Sequence, residues 1–341
     1  MTSLVAARVR ARRASRRLRL PVTTSLVVMV VGLFLAEVLL GSYTVTLPDA
    51  VRIVAGADIP GASFIVMQDK LPRAAVGVMV GVAFGVAGCL FTSLLRNPLA
   101  SPDVIGVSSG ASAGAVLGIV VFGASGPLVS LWAFAGTGVA AALIFSLSGV
   151  TNGTRLVLVG ISLGAVLQSV VSYLLVRADI FVASDAFAWL QGSLNDSSWP
   201  RARDLAVALA VLLPGVALLS GRLGVLALGD DAARALGVPV TATRLSLMSL
   251  GVALAAVATA AAGPIAFVAF LSAPIARRLL PGRVSARVAG LVGAVIVLAS
   301  DYTAHNLMFG ATLPVGVVTG ALGAPFLIYL LTASHRSGRG G

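Results

Sequence analysis

Apolar residues in this chain fall into long runs, separated by short polar joints marked with proline and glycine. Ten runs can be drawn: 22–42, 74–95, 104–124, 128–148, 155–177, 203–220, 241–262, 265–280, 285–306 and 314–333. A helix needs about 20 apolar residues to cross a bilayer, and these runs are far longer than barrel strands. The pattern predicts an all-α polytopic membrane protein, with about ten transmembrane helices in a compact bundle. Residues 1–21 form a basic arm, 22–333 a single transmembrane domain and 334–341 a tail.

The sharpest joint is Arg96-Asn97-Pro98-Leu99-Ala100-Ser101-Pro102-Asp103. Pro98 lacks an N–H and ends the preceding helix. Ser101 at N-cap, Pro102 at N1 and Asp103 against the positive helix end start the next one. The octet is thus a built turn that presents Arg96 at the surface. A second joint, 221–241, carries a short helix of its own. Asp230 suits N-cap, Asp231 complements the dipole, Ala232–Leu236 favours helix, Gly237 suits C′ and Pro239 stops continuation. A capped helix of about two turns suits docking into another protein's groove. The alternative, a helix lying on lipid, fits less well with its weak apolar face and acidic start.

Composition agrees with a membrane protein. Of 341 residues, 58% are hydrophobic and 11% charged, with mean hydropathy +1.03; soluble domains carry about 25% charged residues. The net charge is +12. With an even number of spans both termini share a side, and if that side is cytoplasmic it holds 18 of the 24 Lys and Arg. The positive-inside rule selects that orientation, so the charge reports topology rather than nucleic-acid binding. Ser15-Arg16-Arg17 looks like a twin-arginine signal. The following run is longer than a signal h-region and lacks a clear cleavage site, so it reads as an uncleaved first helix. Cys89, the single cysteine, excludes an internal disulfide and reads as a packing residue.

Glycines form ladders, Gly77/Gly81/Gly85 and Gly106/Gly110/Gly114/Gly118, a spacing that lets helix backbones approach closely in lipid. Away from the ends of the runs, inside the membrane, ionisable groups are few: Glu37, Asp301 and His305, the last near the outer surface. Carriers driven by ion gradients bury more acids or histidines. There is no Walker A loop and no catalytic constellation. Asp301, His305 and Asn306 read as a feature of the outer rim. If the chain moves a solute uphill, its energy comes from a partner.

Six blocks, in order, carry a family resemblance: Lys70-Leu71-Pro72-Arg73; the octet with Ile105–Ala111; Trp189–Leu194 with Trp199; Leu226–Gly229 through Ala233–Gly237; Gly263–Val268; and Leu313–Gly320 with Gly323–Phe326. Over residues 45–333 the chain resembles permease subunits of the FecCD family, type II ABC importers for ferric siderophores, haem and cobalamin. It departs from the family pattern in three places: Ala273-Pro274 precede Ile275-Ala276-Arg277 with the proline displaced, His305 replaces an arginine, and Thr312 replaces a glutamate.

The resemblance implies a non-catalytic subunit in the cytoplasmic membrane that translocates ferric-siderophore complexes. Haem or cobalamin transport is the alternative within the family, and an ion-coupled carrier the alternative class. It implies partners: ABC ATPase subunits that use ATP, an extracytoplasmic substrate-binding protein, a second permease chain (identical or paralogous) and membrane lipid. Neither cofactor nor metal is expected on the chain itself. Leu228, Gly229, Asp230, Asp231, Ala232, Ala233, Arg234, Leu236 and Gly237, with Arg96, Asn97 and Pro98, are the expected ATPase-coupling surface. Lys70, Arg73 and His305 are the expected docking charges for the binding protein, Arg73 foremost.

Overall fold

The computed structural model describes residues 2–41, 43–97, 100–149, 153–281, 284–307 and 313–337, and every regular element among them is helical. In chain order these are α1 (Thr2–Leu39), α2 (Leu47–Val54), α3 (Ala62–Phe64), a π-helical turn (Ile65–Lys70) running into α4 (Leu71–Leu94), α5 (Val107–Phe122), α6 (Pro127–Ser148) and α7 (Gly153–Arg177). They continue with α8 (Ile180–Leu190), α9 (Trp199–Leu226), α10 (Asp230–Ala235), α11 (Val240–Ala262), α12 (Val268–Leu279), α13 (Ala286–Asn306) and α14 (Val315–Ser337). Each of the ten apolar runs lies on one of the longer helices. Among the described residues, seven helical stretches have the length and apolarity of a full span.

Two of the shortfalls have a visible cause. The chain stays irregular through 100–106 and 263–267, and the next helix starts only after a left-handed residue, Gly106 (φ 82°) before α5 and Phe267 (φ 64°) before α12. Ala100, Ser101, Ile105 and Ile265 on these stretches are all buried. Irregular backbone is tolerated in a membrane protein where protein, not lipid, surrounds it. Ser101 therefore caps a single turn rather than α5: its carbonyl accepts from Ile105 at 3.2 Å and its hydroxyl from Val104 at 3.4 Å. The expectation that Ser101-Pro102-Asp103 opens the helix is corrected, because the left-handed Gly106 restarts the chain five residues later.

Helix α4 is the hub. It packs against α13, α11, α12, α9 and α1, and 78% of its apolar window is buried, against 22% for α7 and 17% for α9. Its glycines explain the closeness. A Cβ on Gly81 would sit 2.5 Å from the Ala294 Cα, and one on Gly85 or Gly88 would strike the backbone at Ala289 or Ala269. Contact that close puts many atoms at van der Waals range, the main attraction left once lipid replaces water. The second ladder does the same for α5: Gly110, Gly114 and Gly118 lie against Gly136, Ala140 and Trp132 of α6, and Gly106 against Gly160 of α7.

Candidate functional site

At the end of the bundle where α4 and α9 finish, three elements meet on one carboxylate. Arg96, left-handed at φ 51°, leaves the α4–α5 turn and donates from Nη2 to the Leu226 carbonyl at 3.0 Å and to Asp230 Oδ1 at 2.8 Å. Arg244 of α11 donates to the same oxygen at 3.0 Å. The Arg96 side chain is 48% exposed and that of Arg244 only 7%. Asp230 thus bridges a surface cation and a buried one, and fixes the start of α10 to the octet and to α11. Removing one partner of a buried pair is far more damaging than losing an exposed pair, worth about 0–1 kcal/mol.

Asp230 is not the N-cap. Gly229 (φ 120°) holds that position with no side-chain capping bond, and α10 is six residues long, close to the two turns expected. The arginines take the carboxylate that would have capped it. The C-terminal end follows expectation: Gly237 has φ 75°, its N–H bonds the Arg234 carbonyl at 2.9 Å and Val238 N–H bonds Ala233 at 3.0 Å. Ala233 is buried, Ala232 is exposed, Asp231 pairs with Arg234 at 2.9 Å in solvent, and Leu228 and Leu236 are exposed on either side. In the octet the Asn97 carbonyl accepts from Ala100 at 3.1 Å; Pro98 lies outside the described residues. Ser108 donates a short hydrogen bond to Asp103 Oδ1. Burial pushes the Asp103 carboxyl above the usual range, and the Ser108 bond holds it back.

The expected docking charges sit at the opposite end, but not as free charges. Lys70 is 9% exposed. Its ammonium donates to the carbonyls of Val38, Leu40 and Tyr43 at 3.2, 2.7 and 2.7 Å, closing the negative end of α1. Arg73 grips Asp301 with both arms, Nε to Oδ2 at 2.6 Å and Nη2 to Oδ1 at 2.7 Å. Its terminal nitrogens also lie 2.7 and 2.8 Å from the His305 ring nitrogens. The Arg73 and Asp301 side chains are 11% and 2% exposed, and Glu37 lines the same small pocket. Lys70 and Arg73, the expected docking charges, and Asp301 beside them are thus each held by partners within the fold. Sequence separation hid this, although Asp301 and His305, four apart on one helix face, were the available signal.

A third cluster escaped the residue-level reading altogether. Three of the sequence blocks converge at the ends of α8, α11 and the start of α14. Ser193 N–H bonds the Ala262 carbonyl at 2.8 Å and Gly316 N–H bonds Gly192 at 3.2 Å. Gly192, Gly263 and Gly316 are the contact points; a Cβ on Gly263 would lie 2.7 Å from the Trp189 carbonyl. The Phe267 ring lies over Gly323 of α14. Val170 and Tyr173 of α7, Phe181 and Phe187 of α8, and Leu322 and Ile328 of α14 are exposed apolar residues.

The described residues form a multi-pass helical bundle around a buried hub, the build of an integral membrane protein. Residues 27–333 match the model of the FecCD transport family, and the chain belongs to that family. It is 40% identical to the ferric enterobactin transport system permease protein FepG of Escherichia coli (strain K12), over 80% of this chain and 84% of that protein. It is 36% identical to the achromobactin transport system permease protein CbrC of Dickeya dadantii (strain 3937), over 92% and 90%. The solved structure of an inward-facing conformation of a metal-chelate type ABC transporter superposes with a TM-score of 0.79 at 25% identity, covering 92% of this chain and 98% of that one. The chain is thus a non-catalytic permease subunit of an ABC importer.

Proposed function

We propose that this permease carries ferric-siderophore complexes across the cytoplasmic membrane, with both termini and α10 on the cytoplasmic side. The similarity to enterobactin and achromobactin permeases supports the substrate class, and the distribution of Lys and Arg supports the sidedness. A second permease chain covers exposed apolar residues of α7, α8 and α14, so that two chains enclose one pathway. A substrate-binding protein delivers the iron complex at the outer end.

The ATPase seats on α10 and its flanking Leu228 and Leu236. The carrying observation is the Asp230 bridge: movement of α10 is handed at once to the end of α9 through Arg96 and to α11 through Arg244. A rigid-body shift of one short helix thereby reaches elements packed on the α4 hub. ATP is consumed on the partner, not on this chain.

Uptake by a strain lacking this gene tests the reading. Radiolabelled iron is supplied as catecholate, hydroxamate or citrate chelates, alongside haem and labelled cobalamin. Uptake from at least one iron chelate should fall to background and return with the cloned gene. Loss of haem or cobalamin uptake with all chelate uptake intact would overturn the siderophore assignment.

A further inference from the structure

Between α1, α9 and the start of α13 lies a groove of about 940 Å³. Val82 and Val86 of α4, Leu213 and Val216 of α9 and Leu291 of α13 give it apolar walls. One end is different. Arg19 and Arg287 line it there, with the hydroxyl residues Thr23, Ser220 and Ser285. These five stand where α1 enters its span, α9 leaves and α13 begins, so they share one membrane end. The apolar lining lies one to several turns further in, at 1.5 Å per residue.

Three observations specify an occupant. First, α9 does not pack directly on α1 or α13 to any extent among the described residues, so the walls face a gap that only a flexible apolar body would fill. Second, Arg19 and Arg287 are exposed, and neither is in an ion pair among the described residues. Third, Ser285 caps the first turn of the 21-residue α13, its hydroxyl accepting from Val288 N–H, so the positive end of that helix adds to the two guanidiniums. A second copy of this chain in a two-fold contact would bring the same arginines face to face.

We propose that this groove seats one anionic phospholipid, its phosphate between Arg19 and Arg287 and its acyl chains along α9 and α4. A basic pocket between membrane helices is the expected setting for an acidic headgroup, and a zwitterionic headgroup would set its own cation against the arginines. The lipid then joins α1 and α9, which the protein itself leaves apart. The inference stands independently of the transported substrate and of the ATPase contact.

Native mass spectrometry of the full-length permease, delipidated in mild detergent and titrated with dioleoyl phosphatidylglycerol or dioleoyl phosphatidylcholine, tests it. One phosphatidylglycerol per chain should be retained with at least tenfold preference. Arg19→Gln/Arg287→Gln should abolish the preference. Ala217→Trp, which fills the groove at an exposed position and keeps both arginines, should abolish retention of that lipid. Equal retention of the two lipids by the unaltered protein overturns the proposal, as does a preference that survives either variant. A disulfide formed between two Ala217→Cys chains in vesicles would place a second copy in the groove and overturn it too.

Discussion

At the α10 end a partly exposed carboxylate, Asp230, is shared between arginines from two separate elements. At the far end Arg73 is closed inside the bundle between Asp301 and His305, and the Lys70 ammonium is held by three carbonyls of α1 and the residues after it. Both ends use arginine and aspartate, yet the surroundings give them different work. Water beside Arg96 weakens its pull and leaves its bond replaceable. Burial around Arg73 makes separation from Asp301 leave an uncompensated charge. The first arrangement can be handled by a partner; the second locks α4 to α13.

The comparison breaks most readily at Asp301. Asp301→Ala should destabilise the folded permease by about 3–5 kcal/mol, seen as a large fall in melting temperature in detergent. Arg73→Met/Asp301→Leu should recover most of that loss. A single variant that melts like the parent would show that the buried pair is no lock.

Next in size is Asp230→Ala. It removes one acceptor of buried Arg244, at about 1.5–3 kcal/mol, while the exposed Arg96 side adds only about 0–1 kcal/mol. Transport should fall several-fold while basal ATP hydrolysis by the assembled complex persists. Transport and hydrolysis falling in equal proportion would instead indicate loss of assembly. Lys70→Met follows. It should cost about 1 kcal/mol through the open end of α1 and change binding-protein affinity by less than twofold. A tenfold loss of affinity with unchanged melting would return Lys70 to the docking surface.

The smallest expected effect is at Asp231–Arg234, a pair standing in solvent. Arg234→Ala should leave the melting temperature unchanged. Any loss of transport in that variant then reports a contact with the ATPase, sharpening the contrast with Asp230, where stability and transport move together.

Much of the fold could be read in the chain, because lipid imposes long apolar runs and those runs are local facts. The ten runs fall on ten helices. The late starts of α5 and α12 were not visible, since Gly106 and Phe267 adopt left-handed geometry only within a packed neighbourhood. The same divide holds at the sites. The Gly237 stop needs only its own neighbours and was legible. Asp230 looked like a cap because its competitors, Arg96 and Arg244, lie 134 and 14 residues away. The partners that hold Lys70, 27 to 32 residues away, and Arg73, 228 and 232 residues away, were hidden for the same reason. The knot of Gly192, Gly263 and Gly316 joins three distant joints, and nothing within any one of them announces the others.

The Arg73–Asp301 pair also sets a schedule for making the protein. Arg73 is synthesised 228 residues ahead of Asp301. At about 5–20 residues per second, it waits roughly 10–50 seconds for its counter-ion. Through that interval α4 rests among lipids with its glycine face uncovered, and Arg73, near the start of the helix, reaches for the headgroup layer. The hub of the finished bundle is thus one of the first helices to enter the membrane and among the last to be closed in. A chain cut short before α13 should stay at that waiting stage, with Arg73 lacking Asp301.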